Sequence, residues 1–247
     1  MPIDLRYRHR QSELMDDPSL ADDAHRQALK GLRRINWWSR TDASVWKAIR
    51  KVALEAGTHA PLTVLDIASG GGDLAIRLAR IAKRERVPLQ IDGCDISPAA
   101  IRYSTEQAIS AKLPNVTFHP CNALKDPLPR PDYDVVMCSL FLHHLTEQEA
   151  LLLLQRMKAA ARTLILIDDL RRTRMGYWLA WLGCRILTRC HVVHVDGPMS
   201  VEGAFTSAEA RAIAEQAGVD SPTIRHHWPE RFLLTWHPKS RGCDDVN

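Results

Sequence analysis

The stretch LDIASGGGDLA, Leu65 to Ala75, sets three consecutive glycines between a run of β-formers and a run of helix formers, with an aspartate on either side. Glycine carries no Cβ, so a ligand can come close to the backbone there. The helix that follows offers unpaired N–H groups at its start. Strand, glycine-rich turn and helix in that order open a nucleotide-type binding unit. More than one adenosine-containing ligand fits such a turn, so the surrounding chain has to decide between them.

Around this unit, five β-type runs alternate with helical ones: TVLDIA, LQIDGCDI, VTFHPCN, YDVVMCSLF and TLILIDD. The alternation predicts an α/β, doubly wound, Rossmann-like fold with a mostly parallel sheet. Upstream, LADDAHRQALKGLRRINWW and TDASVWKAIRKVALEAG read as two helices, the second opened by a capping Thr41 or Asp42 and stopped at Gly57. They predict a helical cap over residues 1–58, ahead of a main domain over 59–240 and a tail over 241–247. Ser97 before Pro98 marks one helix start, and TEQE (Thr146, Glu149) and TSAE (Thr206, Glu209) form capping boxes. TIRHHW and RFLLTWH, on either side of Pro229 and Glu230, read as an antiparallel hairpin at a sheet edge.

The 247 residues suffice for one large domain, and 45% hydrophobic with 25% charged residues is an ordinary globular balance. A net charge of +4, from 33 basic and 29 acidic residues, is too even to argue for nucleic acid. A small-molecule partner is expected. Six cysteines without a C-x-x-C pair suit a reducing cytosol. The N-terminus lacks a signal-peptide pattern, and the longest apolar stretch, MGYWLAWLGCRILTRC, is broken by Arg185 and Arg189 and too short to span a bilayer. Cytoplasmic location follows as the expectation, with a monomer or homodimer.

Gly70, Gly72 and Ala75 satisfy the dinucleotide pattern G-x-G-x-x-A, and Asp95 ends the next β-run, where a ribose-binding acid belongs. Asp66, however, would face and repel a pyrophosphate. A cofactor with a cationic amino acid end tolerates it. DIASGGGD, CDIS, CNALKDPLPRPDYDVV, SLFLHHL and AFTSAEARAIAEQAG together resemble the class I S-adenosylmethionine (SAM) dependent methyltransferases over residues 60 to 237. The likeness is greatest to the ubiquinone and menaquinone biosynthesis branch and small-molecule O-methyltransferases. Ser69 and Gly71 depart from that branch's D-x-A-G-G-T-G-D, and Asn122 stands where it usually has aspartate.

The resemblance implies a seven-stranded sheet ending in the antiparallel hairpin. It implies SAM as cofactor and S-adenosylhomocysteine as product. Asp66 with the loop Ala68, Ser69, Gly70 and Gly72 would hold the methionine part, and Asp95 the ribose hydroxyls. Ile96, Asn122 and Ala123 would line the adenine, and Ser139 would lie near the sulfonium. Arg40, with Asn36, would reach the SAM carboxylate or the acceptor from the arm.

Methyl transfer to a phenolic oxygen, of reference pKa about 10, benefits from a base with a pKa near 7, and histidine is the usual choice. His143 and His144 follow the fourth strand. His191 and His194 lie in CHVVHVDG, within an insert over about 171–203 where similar enzymes build a lid. H-x-x-H-x-D lacks a further ligand pattern, so no metal is expected. Met175, Tyr177, Trp178, Leu179, Trp181, Leu182 and Ile186 make the insert's helix apolar almost all round, which predicts burial. With Trp37 and Trp38 it would cover a flat, apolar acceptor. The flanking arginines also allow peripheral contact with a membrane. The expected function is methylation, foremost on oxygen, of a small aromatic or polyketide-like acceptor in secondary metabolism or quinone-like biosynthesis. A noncatalytic SAM-fold subunit is one alternative. RNA or protein methylation is another, which would want a basic groove or an Asn-Pro-Pro-Tyr tetrapeptide where this chain has SLFL.

Overall fold

The computed structural model describes residues 4–16, 20–57 and 60–238. Two helices, α1 (Asp22–Ser39) and α2 (Thr41–Ala56), come first. Five parallel strands follow: β1 (Leu62–Ile67), β2 (Leu89–Asp95), β3 (Val116–Pro120), β4 (Tyr133–Ser139) and β5 (Ala161–Leu170). Between them run α3 (Asp73–Glu85), α4 (Pro98–Ser110) and α5 (Glu147–Ala160). After β5 come α6 (Arg174–Leu187), α7 (His191–Gly203), α8 (Ser207–Gln216) and the strands β6 (Thr223–His227) and β7 (Arg231–Trp236).

The sheet order is β3-β2-β1-β4-β5-β7-β6, with β7 antiparallel to both neighbours. The order reverses between β1 and β4, and in open α/β sheets ligands bind at the carboxyl ends of the strands flanking that switch. The chain's glycine-rich turn stands there. Val45, Ile49, Leu74, Leu78 and Ala108 pack on one sheet face, while Leu153, Leu154, Met157 and Ile213 pack on the other. Both faces are therefore dry, and β1 and β4 are buried along most of their length rather than at alternate residues.

Local chemistry set the helix starts as expected. Ser97 accepts from the Ala100 N–H with Pro98 in the first turn, and the boxes at Thr146 and Thr206 are both closed by their glutamates. The start of α2 differs. Neither Thr41 nor Asp42 caps it, because Arg40, at φ 53°, only kinks the chain between α1 and α2. Thr41 is instead buried and accepts from Arg231 Nη1 at 2.6 Å.

The insert is a helix pair, α6 and α7, and α1 packs on it through Ala28, Leu32 and Ile35 against Cys184, Val192 and Val193. Asp196 receives the N–H groups of Leu14 and Met15, at 2.9 and 3.0 Å, which pins the N-terminal segment to α7. The expectation that α6 is buried is overturned. Only Gly176 and Cys184 are buried, while Met175, Trp178, Leu182 and Ile186 face outward. A helix apolar all round needs cover on every side, and the described residues cover one.

Candidate active site

The glycine loop is held by one carboxylate and packed against two aromatic rings. Asp95, at the end of β2, accepts the Gly70 N–H at 2.8 Å through one oxygen and the Ser97 N–H at 2.9 Å through the other. It thereby ties the loop to the start of α4. The three glycines have different reasons. Gly72, at φ 71°, has no room: an added Cβ would lie 2.5 Å from Phe118 Cζ and 2.8 Å from Ser104 Cβ. Gly71 faces Tyr103 at 3.3 Å. Gly70, at φ 51°, faces open space. Close approach of a ligand belongs to Gly70, whereas Gly72 lets α3 pack on its neighbours.

Asp66 is 2% exposed and makes no ion pair among the described residues. Burial, then the charges of Asp73 and Asp95, push its carboxyl well above the usual range. Asp73 is already paired with Arg77 Nη2 at 2.8 Å. The loop is thus an acidic niche short of one cation. Ser69 Oγ is buried near Gly93 and has no hydrogen-bond partner among the described residues. Past the end of β2, Ile96 is largely exposed and Ala123 buried, while Asn122 Oδ1 accepts the Leu124 N–H at 3.0 Å.

At the carboxyl ends of β4 and β5 lies a second constellation that sequence reasoning missed. Asp168, 1% exposed, accepts from Ser139 Oγ at 3.0 Å and from Arg231 Nη1 at 3.3 Å, and stands 2.6 Å from His227 Nε2. The other His227 nitrogen faces the Trp228 carbonyl at 3.0 Å. Trp38 of α1 meets Trp228 edge-on at 4.9 Å, and Asn36 Oδ1 accepts from Arg231 Nη2 at 3.2 Å. The arm is therefore joined to the hairpin over the end of β5. Arg40, exposed at the α1–α2 kink, flanks this junction. The adjacent aspartates of LILIDD were the available signal: one carboxylate on each face of a buried strand needs two partners.

The histidines singled out in the sequence go elsewhere. His143 Nδ1 lies 2.6 Å from Asp169 Oδ1, and its Nε2 lies 3.6 Å from Glu13 Oε1. Burial pushes the His143 pKa down, but Asp169 and then Glu13 outweigh it and raise the value to about 10. Both ring nitrogens of His143 face carboxylates. His144 stacks on His143 at 4.3 Å and shares Glu13 at 3.9 Å. Glu13, His143 and His144 bring ligand atoms within 4.8 Å of one another, as a metal set would. Stacked imidazoles sharing one carboxylate suit an ion-pair clamp better than a common ion. Arg8 completes that clamp, donating to the carbonyls of Gly203, His143 and Leu145 at 2.6 to 2.9 Å. His194 Nε2 bonds the Thr188 carbonyl at 2.8 Å and so fixes the α6–α7 turn, while His191 is exposed at the start of α7.

Residues 64–163 match the model of a methyltransferase domain family. Residues 64–163 are therefore similar to a methyltransferase domain, and they lie on the seven-stranded sheet described above. It is 37% identical over 91 residues to a demethylmenaquinone methyltransferase of Deinococcus radiodurans, covering 36% of this chain and 35% of that one. It is 31% identical over 150 residues to a ubiquinone/menaquinone biosynthesis C-methyltransferase of Paraburkholderia phymatum, covering 57% and 59%. The chain thus spans a third to three fifths of the length of these curated relatives. In fold, the chain resembles the magnesium protoporphyrin IX methyltransferase of Synechocystis PCC 6803 solved with bound SAM, with TM-score 0.55, 16% identity, and 92% and 88% of the two chains covered.

Proposed function

We propose that this protein is a class I SAM-dependent methyltransferase and transfers a methyl group from SAM to a small, largely apolar, aromatic or polyketide-like acceptor, foremost on oxygen. The observation that carries the cofactor is Asp66: a buried carboxylate without a cation, in a niche with two further carboxylates. An amino acid end bearing an ammonium group supplies the missing charge, and a dinucleotide's pyrophosphate would worsen the repulsion. The unpartnered Ser69 hydroxyl and the open space at Gly70 suit the same occupant. Asp95 would hold the ribose hydroxyls, with Ile96, Asn122 and Ala123 along the adenine. When bound, SAM supplies an electrophilic methyl group on a sulfonium.

On the acceptor side, Ser139 and Asp168 stand nearest the switch point, and Asp168 orients His227. We assign His227 the acceptor's hydroxyl proton. For that step Nδ1 exchanges its contact with the Trp228 carbonyl for the acceptor's hydroxyl and takes its proton, while Nε2–H donates to Asp168, which steadies the imidazolium that forms. Trp38 and Trp228 provide the apolar wall against which a flat ring lies. Arm and insert together form the cover that excludes water from transfer. The quinone-biosynthesis names of the relatives support an aromatic acceptor and also favour carbon as a second recipient, for which proton removal at the same side is still required.

Incubation with isotope-labelled SAM and a panel of alkylated phenols and hydroquinones tests the reading. Label in an ether methyl is expected. Absence of transfer to every phenol and hydroquinone would refute it. Asp95→Ala is expected to fold and to weaken SAM binding by about 1.5–3 kcal/mol, the range for hydrogen bonds to a charged group. Unchanged affinity in calorimetry would remove Asp95 from the ribose site.

A further inference from the structure

The outward stripe of α6 is a large feature that methyl transfer leaves unused. Met175, Trp178, Leu182 and Ile186 are 63%, 62%, 49% and 70% exposed, and their spacing of three and four residues aligns them along one side of the helix. The opposite side, at Cys184, seals against α1 and α7. Four large apolar side chains in a row on a water-facing helix mark an interaction surface.

Charge says what covers it. From Leu170 to Val195 the chain holds five arginines and no acidic residue. Two of the five are committed internally: Arg171 to Glu230 at 3.2 Å, and Arg172 to Glu209 at 2.7 Å. Arg174 in the first turn, Arg185 in the last and Arg189 just beyond are exposed and have no acidic partner among the described residues. Arg185 lies over the Trp181 ring at 4.2 Å, so its guanidinium stands level with the aromatic row. Trp178 meets Trp181 edge-on at 5.7 Å. Apolar stripe, indoles at its border and cations beside them fit a helix lying in the plane of an anionic lipid surface. A second copy of this chain would bring the same three cations against each other.

Position supports the same occupant. The Thr173 hydroxyl, which caps α6, donates to Glu230 at 2.8 Å, and Arg171 reaches that same carboxylate oxygen. The start of α6 is thereby fastened to the turn that carries His227 and the half-exposed Trp228. We propose that α6 seats the protein on anionic membranes, with the acceptor mouth at the lipid boundary. An apolar acceptor then enters without crossing water. This step rests on the acceptor reading above, but its test does not.

The test is co-sedimentation of the full chain, without acceptor, on vesicles of mixed phosphatidylcholine and phosphatidylglycerol and on vesicles of phosphatidylcholine alone. Binding to the mixed vesicles, weakened by salt and accompanied by a blue shift of tryptophan emission, is expected. The pair Trp178→Glu and Leu182→Glu should lower vesicle affinity roughly tenfold or more while S-adenosylhomocysteine binding and Tm stay unchanged. Arg174→Glu with Arg185→Glu should abolish the preference for the anionic lipid. Failure of the unaltered protein to bind mixed vesicles would overturn the proposal whatever the variants do. So would a dimer, seen by light scattering, that the Trp178→Glu and Leu182→Glu pair splits. Normal turnover without vesicle binding would leave the methyltransferase reading standing and this one refuted.

Discussion

His227→Ala is expected to lower kcat by roughly 10²- to 10⁴-fold, the contribution of a positioned acid–base group, and to leave SAM affinity unchanged. The loss corresponds to about 3–5 kcal/mol in the transition state. The side chain is partly open to solvent and its ring fills no core cavity, so Tm should move little. Asp168→Asn separates orientation from structure. It removes the carboxylate from His227 Nε2 and also strips the buried Arg231 of its counter-charge, so rate and stability should fall together. Rates measured under saturating SAM, beside thermal melts, make the comparison. A change below about threefold in the His227→Ala variant would mean that His227 takes no proton, leaving transfer to positioning alone.

The second large effect separates two glycines of one loop. Gly72→Ala is expected to destabilise the fold by about 2–5 kcal/mol, combining left-handed backbone strain with overpacking against Phe118 and Ser104. Gly70→Ala shares only the strain, about 1–2 kcal/mol, because its Cβ meets open space. Its larger consequence should be weaker SAM binding, since that space is where the cofactor approaches. Denaturant melts and calorimetry on both variants check this. Equal stability losses, or an intact cofactor affinity in Gly70→Ala, would show that the loop is divided differently.

Much of the fold was legible because its signals are local. The five parallel strands, the capped starts at Ser97, Thr146 and Thr206, and the antiparallel β6–β7 hairpin all follow from short-range pattern and cap chemistry. The two sequence misreadings have a common cause. Thr41 resembles a helix cap by position, yet its hydroxyl is taken by Arg231 from 190 residues away. The apolar girdle of α6 looks the same in sequence whether its outer side meets protein or something else.

The site divides along the same line. The loop side, from Asp66 to Asp95, lies within one βαβ unit, and its acidic niche could be argued from spacing. The acceptor side could not: Asp168, His227 and Arg231 meet across 59 and 63 residues, and nothing local in RHHWPER separates a base from a hairpin. The histidines that attracted notice, His143 and His144, follow the fourth strand but are clamped by Glu13 and Asp169 on the other side of the sheet end. Those contacts tie Glu13 of the N-terminal segment to the end of β5. That clamp also needed a long-range partner, Glu13, that no motif announces.

The most direct test of the central claim is titration calorimetry of the purified protein with S-adenosylhomocysteine and with NAD. The account predicts saturable, one-to-one binding of S-adenosylhomocysteine, weakened in Asp66→Ala and Asp95→Ala, and no heat of binding with NAD. Micromolar binding of NAD with none of S-adenosylhomocysteine would contradict it, and would return the glycine loop to a dinucleotide.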